Sequence, residues 1–327
     1  MLHVVSLNKS FKDQKVIKGL DLNVKSGEVV SIVGSSGSGK TTLLRLISGL
    51  EIPDSGEIIL NNQNLNGHNT YLPPEQRDCS LVFQDYALFP NMTMHQNIFF
   101  GKNSLKNKER VKYLIKITEI EKIKDKFPHE CSGGEQQRVA LVRAMAIKPS
   151  LLLMDEPLSN LDYNLKDSLG KIIRNLIKEF ETSAIIVTHD IYDAMKISDK
   201  IVVLDNGKII QKGTPNDIYN NPKSKKVALL FGETNFIPLS MFPNEKNYFF
   251  DVVTKVPLIS IRPNQFIIYN KNTDVKGKIF CGEIKSLTEI GGKTQIELNC
   301  DNLILKISLN YSEKLAQGEQ IEVILPN

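Results

Sequence analysis

Apolar residues along the first two-thirds of the chain fall into short blocks of two kinds. Val29-Val30-Ser31-Ile32-Val33, Leu151–Met154 and Ile185–Val187 are compact runs, apolar enough for strands buried on both faces. Between 104 and 120, Val111, Leu114 and Ile115 recur at helical spacing and make one apolar face. A second helical stretch follows Gly134 through Val139, Val142 and Ala146 until Pro149 stops it, and Thr42–Ser48 also reads as helix. Strand-like and helix-like blocks alternate to about residue 210, which predicts an α/β domain on a mainly parallel sheet. Residues 212–226 hold Gly213, Pro215, Asn216, Asn220, Asn221, Pro222 and four lysines, the composition of a hinge or connector.

Beyond residue 236 the period changes from helical to two. Ile296 and Leu298 alternate with other residues, as do Leu303, Leu305, Ile307 and Leu309, and Ile321, Val323 and Leu325. Gly291-Gly292, Asn299–Asn302 and Gln317-Gly318 separate these runs as turns. The expectation is a small all-β, barrel-like (OB-like) domain at 236–327 after an α/β domain at 1–235, whose helical subdomain spans about 86–150.

Composition narrows the classes. At 327 residues the chain can bury a substantial core in two domains. Its longest apolar runs fall far short of the roughly 20 residues a membrane-spanning helix needs. The N-terminus reaches Lys9, Lys12 and Lys15 without the apolar stretch of an export signal, so a cytoplasmic location is expected. A net charge of +4 without a dense Lys/Arg stripe does not call for nucleic acid. Cys79, Cys131, Cys281 and Cys300 are too scattered for a zinc site and too few for a disulfide scaffold; they read as free thiols.

The chemistry concentrates at strand ends. Gly34-Ser35-Ser36-Gly37-Ser38-Gly39-Lys40-Thr41, followed by Thr42, matches the P-loop pattern between a strand and a helix. Its glycines let backbone N–H groups turn inward around phosphates, and the helix N-terminus adds its positive dipole end. Lys40 is placed to hold the β- and γ-phosphates and Thr41 to offer its hydroxyl to Mg²⁺. Asp155-Glu156 end the run Leu151–Met154, where a buried strand delivers two carboxylates, one for the metal and one as general base. The bland alternative, an acidic turn after a core strand, loses weight once the P-loop is present. His189 ends the run Ile185–Val187; a lone histidine there is usually structural, but this one joins reactive groups at other strand ends. Gln84, in Val82-Phe83-Gln84, is a further candidate for Mg²⁺ or the lytic water, against a simple surface amide.

Cys131-Ser132-Gly133-Gly134-Glu135-Gln136-Gln137-Arg138, some 20 residues before Asp155, resembles the signature motif of ABC ATPases. The other motifs of that family stand in order: Phe11 at the adenine-stacking position, the P-loop, Gln84, Asp155-Glu156, Ser159-Asn160-Leu161-Asp162, and His189. The tail, with Gly232-Glu233-Thr234-Asn235-Phe236 and Ile261-Arg262-Pro263, resembles the accessory domain of ATPases serving iron(III), sulfate, polyamine and sugar importers. The resemblance implies an ATP- and Mg²⁺-dependent ATPase on the cytoplasmic face of the membrane. It implies a homodimer in which Ser132, Gly133 and Gly134 of one copy, with Asp162, meet the nucleotide held by the other copy's P-loop. It also implies membrane permease subunits, a solute-binding protein acting indirectly, no nucleic acid, and iron(III) as leading solute.

Four places depart from or extend the pattern. Cys131 stands where Leu is usual, a small hydrophobe for a larger one. Glu135 stands where Gln is common; three residues after Ser132 it makes a capping box, which is favoured over direct contact with phosphate because two anions repel in a dry site. Phe11 replaces the usual Tyr or Trp and either stacks on adenine or belongs to a strand core. Asp85-Tyr86-Ala87-Leu88-Phe89-Pro90-Asn91-Met92 carries excess apolar surface, with Leu88 and Phe89 expected to face a permease helix and the rest to pack inward. The rival reading is a non-transport ABC ATPase acting on DNA or ribosomes, or a tail that binds oligonucleotides. The tail's Phe249, Phe250, Phe266, Tyr269, Phe280 and Tyr311 do not cluster with Lys/Arg as a stacking groove requires.

Overall fold

The computed structural model describes residues 1–67, 70–101, 104–159, 161–269, 275–301, 303–310 and 315–326. Asn160, Asn302 and Tyr311 lie outside the described residues. The chain forms two compact units, Met1–Pro215 and Asn216–Asn327.

In the first unit the strands are β1 (Leu2–Phe11), β2 (Gln14–Val24), β3 (Val29–Val33), β4 (Ser55–Leu60), β5 (Gln63–Gly67), β6 (Thr70–Tyr71), β7 (Cys79–Val82), β8 (Leu151–Asp155), β9 (Ser183–Val187), β10 (Lys200–Asp205) and β11 (Lys208–Gly213). A six-stranded sheet runs β11-β10-β3-β9-β8-β7, all parallel except the β10–β11 hairpin. Its inner strands β3, β9 and β8 are almost wholly buried and apolar because both their faces are covered. Leu152, Met154, Ala184 and Ile186 enter a helical core with Val111, Leu114, Val139 and Val142. Their neighbours Leu151, Leu153, Ile185 and Val187 point the other way, onto Leu43, Leu44 and the second sheet. That second sheet, β2-β1-β4-β5-β6, is antiparallel and was not distinguished in the sequence pattern.

The helices of this unit are α1 (Lys40–Ser48), α2 (Met94–Ile98), α3 (Lys108–Ile117), α4 (Gly133–Ala146), α5 (Tyr163–Glu179) and α6 (Ile191–Ile197). Two run shorter than their apolar periods. Helix α3 stops where Glu119 turns to φ 57°, and α4 stops at Ala146 because Lys148, just before Pro149, takes φ 59°. A residue ahead of proline is barred from helical geometry, so the stop precedes the proline itself.

The stretch 212–226 is more regular than its connector-like composition suggests. It holds α7 (Pro215–Asn220) and the start of α8 (Lys225–Leu230), with Ser224 Oγ accepting from the Val227 N–H at 3.3 Å. Pro215 sits at a helix start, where its missing N–H costs nothing. The second unit continues with β12 (Asn235–Pro238), β13 (Phe249–Phe250), β14 (Pro257–Ile261), β15 (Ile267–Ile268), β16 (Gly277–Ile290), β17 (Lys293–Cys300), β18 (Leu303–Asn310) and β19 (Gln320–Pro326). They form antiparallel sheets β12-β14-β13 and β15-β19-β16-β17-β18 around one core that includes Ile237, Phe266, Leu298, Leu305 and Val323. The turn Gly291-Gly292 joins β16 to β17 with φ 57° and 78°, the left-handed pair a two-residue hairpin demands.

Candidate functional site

The P-loop is built by close packing behind it. A Cβ on Gly34 would lie 2.1 Å from the Leu204 carbonyl oxygen, and one on Gly39 would lie 2.8 Å from Ile17 Cδ1. Gly39, at φ 104°, caps the N-terminus of α1. Ser35, Ser36 and Gly37 are exposed at the loop's outer edge, Thr42 is half-buried in the first turn of α1, and Ser38 is 2% exposed. Ser38 Oγ is buried without a hydrogen-bond partner. Such a hydroxyl is costly unless something accepts or donates to it, and a phosphate oxygen at the loop would do so. Lys40 Nζ lies back on the carbonyls of Gly34 (2.9 Å) and Ser35 (3.0 Å). Burial lowers the Lys40 pKa, and the nearby Glu156 and Asp155 charges oppose that shift. An ammonium resting on neutral carbonyls beside a glycine cradle fits a phosphate group well.

The parallel register brings the strand ends together. Asp155 pairs with Val187, and Val187 with Ile32, so β8, β9 and β3 end side by side. Thr41 Oγ1 donates to Asp155 Oδ1 at 3.3 Å. Burial pushes the Asp155 carboxyl upward, the Thr41 hydrogen bond working against it. Thr41, Gln84 and Asp155 border one cleft of about 490 Å³. Glu156 takes φ 48°, a left-handed backbone unusual for a residue with a side chain, and its N–H donates to the Val187 carbonyl at 2.8 Å. That twist turns its carboxylate toward His189, whose Nδ1 is 3.1 Å from Glu156 Oε1, while Gln84 Nε2 reaches Oε2 at 3.5 Å. His189 and Gln84 thus converge on one carboxylate, that of Glu156.

Three further candidates lie elsewhere. Ser132 caps α4 with Glu135 in the expected box: the Ser132 N–H donates to Glu135 Oε2 at 2.8 Å, and the Glu135 N–H to Ser132 Oγ at 3.3 Å. The Ser132 backbone bond is the main reason Glu135 titrates below its ordinary range. Gly133 and Gly134 open that helix, with Tyr86 Oη the nearest atom to a Cβ on Gly133. The Asp162 carboxylate caps α5, accepting from the Leu165 N–H at 3.0 Å. Phe11, at the end of β1, is 42% exposed with Lys9 Nζ 5.0 Å from its ring, so it is not strand core.

Leu88 was expected to face a partner; it is half-buried and packs against the helical core with Tyr86, since the loop folds over α2 and α4. Phe89 is half-buried as well, and its ring is tilted 43° against that of Phe100, itself 56% exposed, with centroids 4.3 Å apart. Sequence reasoning passed over Asp190. It caps α6, accepting from the Tyr192 and Asp193 N–H groups, and pairs with Lys166 at 2.9 Å, steadying the segment that presents His189. Aspartate directly before a helical stretch is the signal that would have found it. In the tail, Phe249, Phe266 and Phe280 are core residues and offer no base-stacking surface. Among the described residues no helix is long and apolar enough to cross a membrane.

A P-loop opening a helix of a parallel sheet, with two carboxylates and a histidine at adjoining strand ends, defines a nucleoside triphosphatase cassette. The ABC transporter family pattern matches residues 17–159. The iron import protein "Fe(3+) ions import ATP-binding protein FbpC 2" of Haemophilus influenzae is 35% identical, covering 99% of this chain and 95% of its own. "Spermidine/putrescine import ATP-binding protein PotA" of Bacillus cereus is 37% identical over 90% of this chain and 86% of its own. "Sulfate/thiosulfate import ATP-binding protein CysA" of Synechocystis is 37% identical over 97% and 88%. Among solved structures, the dimeric bacterial ABC transporter cassette MJ0796 superposes with a TM-score of 0.59 at 30% identity, covering 66% of this chain and 99% of that one. The chain belongs to the ABC transporter family, as an ATP-binding and ATP-hydrolysing subunit of the import type.

Proposed function

We propose that this ATPase works as a homodimer with two composite sites, driving uptake of a solute, iron(III) first among candidates, through a membrane permease. The observation that carries the catalytic part is the Glu156 carboxylate, held by His189 at 3.1 Å and Gln84 at 3.5 Å beside the P-loop. Gly34, Ser35, Ser36, Gly37, Ser38, Gly39 and Lys40 cradle the phosphates of ATP, Thr42 supports the helix start, and Phe11 stacks on adenine. Thr41, Gln84 and Asp155 are the groups suited to hold Mg²⁺, which when bound neutralises charge on the phosphates. Glu156 accepts a proton from the attacking water, and His189 orients that carboxylate and its water toward the γ-phosphate. Ser132, Gly133 and Gly134 present a helix N-terminus to the γ-phosphate held by the other copy, with Asp162 setting the adjoining loop.

Residues 1–235 are the cassette and 236–327 an accessory module that helps hold or regulate the dimer. Phe100, exposed beside the half-buried Phe89, offers an aromatic contact for the permease on the cytoplasmic face, and a solute-binding protein acts through that permease. The resemblance to the iron importer over nearly the full chain supports iron(III) as the solute.

Mixing two variants tests the composite site. Glu156→Gln removes the base and lowers turnover about 10²–10⁴-fold, with ATP retained. Ser132→Arg blocks the opposing half, and each homodimer is inactive. A heterodimer gathers both lesions in one site and leaves the other whole, so partial ATPase activity returns on mixing. Heterodimers that form and restore nothing refute independent composite sites.

A further inference from the structure

We propose that the cavity between α5 and α6 is a regulatory binding site for a small, uncharged aromatic molecule carrying one hydrogen-bond donor. The cavity measures about 510 Å³, the size of a small-molecule site. Its floor is apolar, made by Leu158, Leu161, Gly170 and Ile197. Gly170 keeps it open. It stands inside α5, where glycine costs about 1 kcal/mol relative to alanine, and a Cβ there would sit 3.3 Å from Ile197 Cγ2. Tyr163 and Tyr192, each in the first turn of its helix, border the mouth and are 75% and 80% exposed. Two exposed phenol rings around an apolar hollow favour a flat aromatic guest, which gains by offset or edge-on ring contact.

The charges decide against an ionic guest. Every cation on the rim is committed: Lys166 to Asp190 at 2.9 Å, Lys171 and Lys196 to Asp167 at 2.7 and 3.0 Å, and Arg174 to Asp199 at 3.0 Å. An anion finds no free cation, and a cation finds Asp167, Asp190 and Asp199 already paired with those same side chains. One acceptor is left over. Asp193 Oδ2 is buried without a hydrogen bond, with Lys166 Nζ 3.6 Å away. A donor on the guest would satisfy it.

The walls of this cavity are the segments that present the reactive groups. Leu158 and Leu161 follow Glu156, whose carbonyl accepts from Ser159 Oγ at 2.8 Å, and Asp190 follows His189 directly. A guest that spreads α5 from α6 shifts Glu156 against His189. The effect on turnover rests on the roles proposed above for those two residues; occupancy of the cavity does not, so binding and turnover are measured separately.

The probe is 2-naphthol, followed by saturation-transfer NMR and its own fluorescence on the full chain. Naphthalene, without a donor, and 2-naphthoate, an anion, are the comparators. 2-Naphthol is expected to bind about 10-fold tighter than naphthalene, with 2-naphthoate weakest. Gly170→Leu fills the floor and should abolish binding. Tyr192→Ser, at an exposed position that folding does not depend on, should weaken binding severalfold. Asp193→Ala should bring 2-naphthol down to the affinity of naphthalene. Saturating 2-naphthol should alter kcat in the unmodified chain and not in Gly170→Leu. Binding that is indifferent to Tyr192→Ser and Asp193→Ala, or a preference for 2-naphthoate, overturns the site. Binding at the site with kcat unchanged overturns its regulatory role.

Discussion

Replacing Arg77 with Met should destabilise the nucleotide-binding unit by about 3–5 kcal/mol. Arg77 is 5% exposed, and its guanidinium serves carbonyls that end α1. Nη1 donates to Leu46 at 2.8 Å and to Ile47 at 2.7 Å, Nε donates to Leu72 at 2.7 Å, and Nη2 approaches Leu65 at 3.4 Å. A hydrogen bond from a charged group contributes about 1.5–3 kcal/mol net, so three short ones would sum above the expected loss. Part is returned, because Met no longer carries a buried charge, and burial is the main cause of the lowered Arg77 pKa. What remains is the penalty of three or four carbonyls left dry, in a cavity that Met fills without a donor. For a unit of this size each kcal/mol moves Tm by about 2–4 °C, so calorimetry should show a drop of roughly 6–20 °C. Arg77→Lys keeps the charge without the fork and should lose about half as much. Added ATP should still raise Tm in every variant, because none of these bonds touches the P-loop. A drop below about 2 °C for Arg77→Met would refute the capping argument, since no arrangement of three buried, unpaired carbonyls is that cheap.

Two other perturbations follow from the same geometry. Burial raises the folded-state pKa of Asp155, so its contribution to stability is present below the ordinary carboxylate range and is lost as pH rises through the folded value. Asp155→Asn should therefore raise Tm of the nucleotide-free protein at pH 7–8, with the gain vanishing as pH falls toward 4; a gain constant across that range would contradict it. Arg262, 1% exposed, donates to the carbonyls of Tyr219, Ala228, Gly232 and Glu233, and Arg262→Met should cost the second unit about 3–5 kcal/mol. Hydrogen exchange should speed up across 219–233 while residues 17–159 keep their protection; unchanged exchange in α7 and α8 would count against it.

What was legible in the chain was local. The runs ending at Val33, Met154 and Val187 announce strands because both faces are apolar, and Ser132 with Glu135 announces a cap because the spacing alone lets each side chain reach the other's backbone. Gly291-Gly292 announces a hairpin because few other pairs accept two positive φ angles. The antiparallel sheet was hidden because its alternation is broken: Val4 and Leu7 are both buried three residues apart, across a register shift in β1. Arg77 gave no signal, since its acceptors lie 5 to 31 residues away and no periodicity links them. The left-handed Glu156 was hidden for a related reason. Its conformation follows from the Val187 carbonyl on a neighbouring strand, a tertiary partner that no window of sequence contains.

The order of groups along the chain, at 34–41, 84, 155–156 and 189, becomes one site only through strand order. Strands β3, β9, β8 and β7 are neighbours in parallel register, so their C-terminal ends deliver the P-loop, His189, Glu156 and Gln84 as a row. Ser132 belongs to a different scaffold, a helix packed among Met94, Ile98, Val111 and Leu114. One residue ties the two. Arg143, on the same helix as Ser132, donates to the carbonyls of Tyr86 at 2.8 Å and Ala87 at 2.7 Å, both in left-handed backbone just after Gln84. Those carbonyls point at Arg143 only while that backbone persists, and a non-glycine residue at positive φ persists only where its surroundings hold it there. A movement of Gln84 toward or away from Glu156 thus pulls on the helix carrying Ser132 through two short, charge-assisted bonds. The half of the site that this chain is proposed to lend to a second copy is thus mechanically joined to the half it keeps.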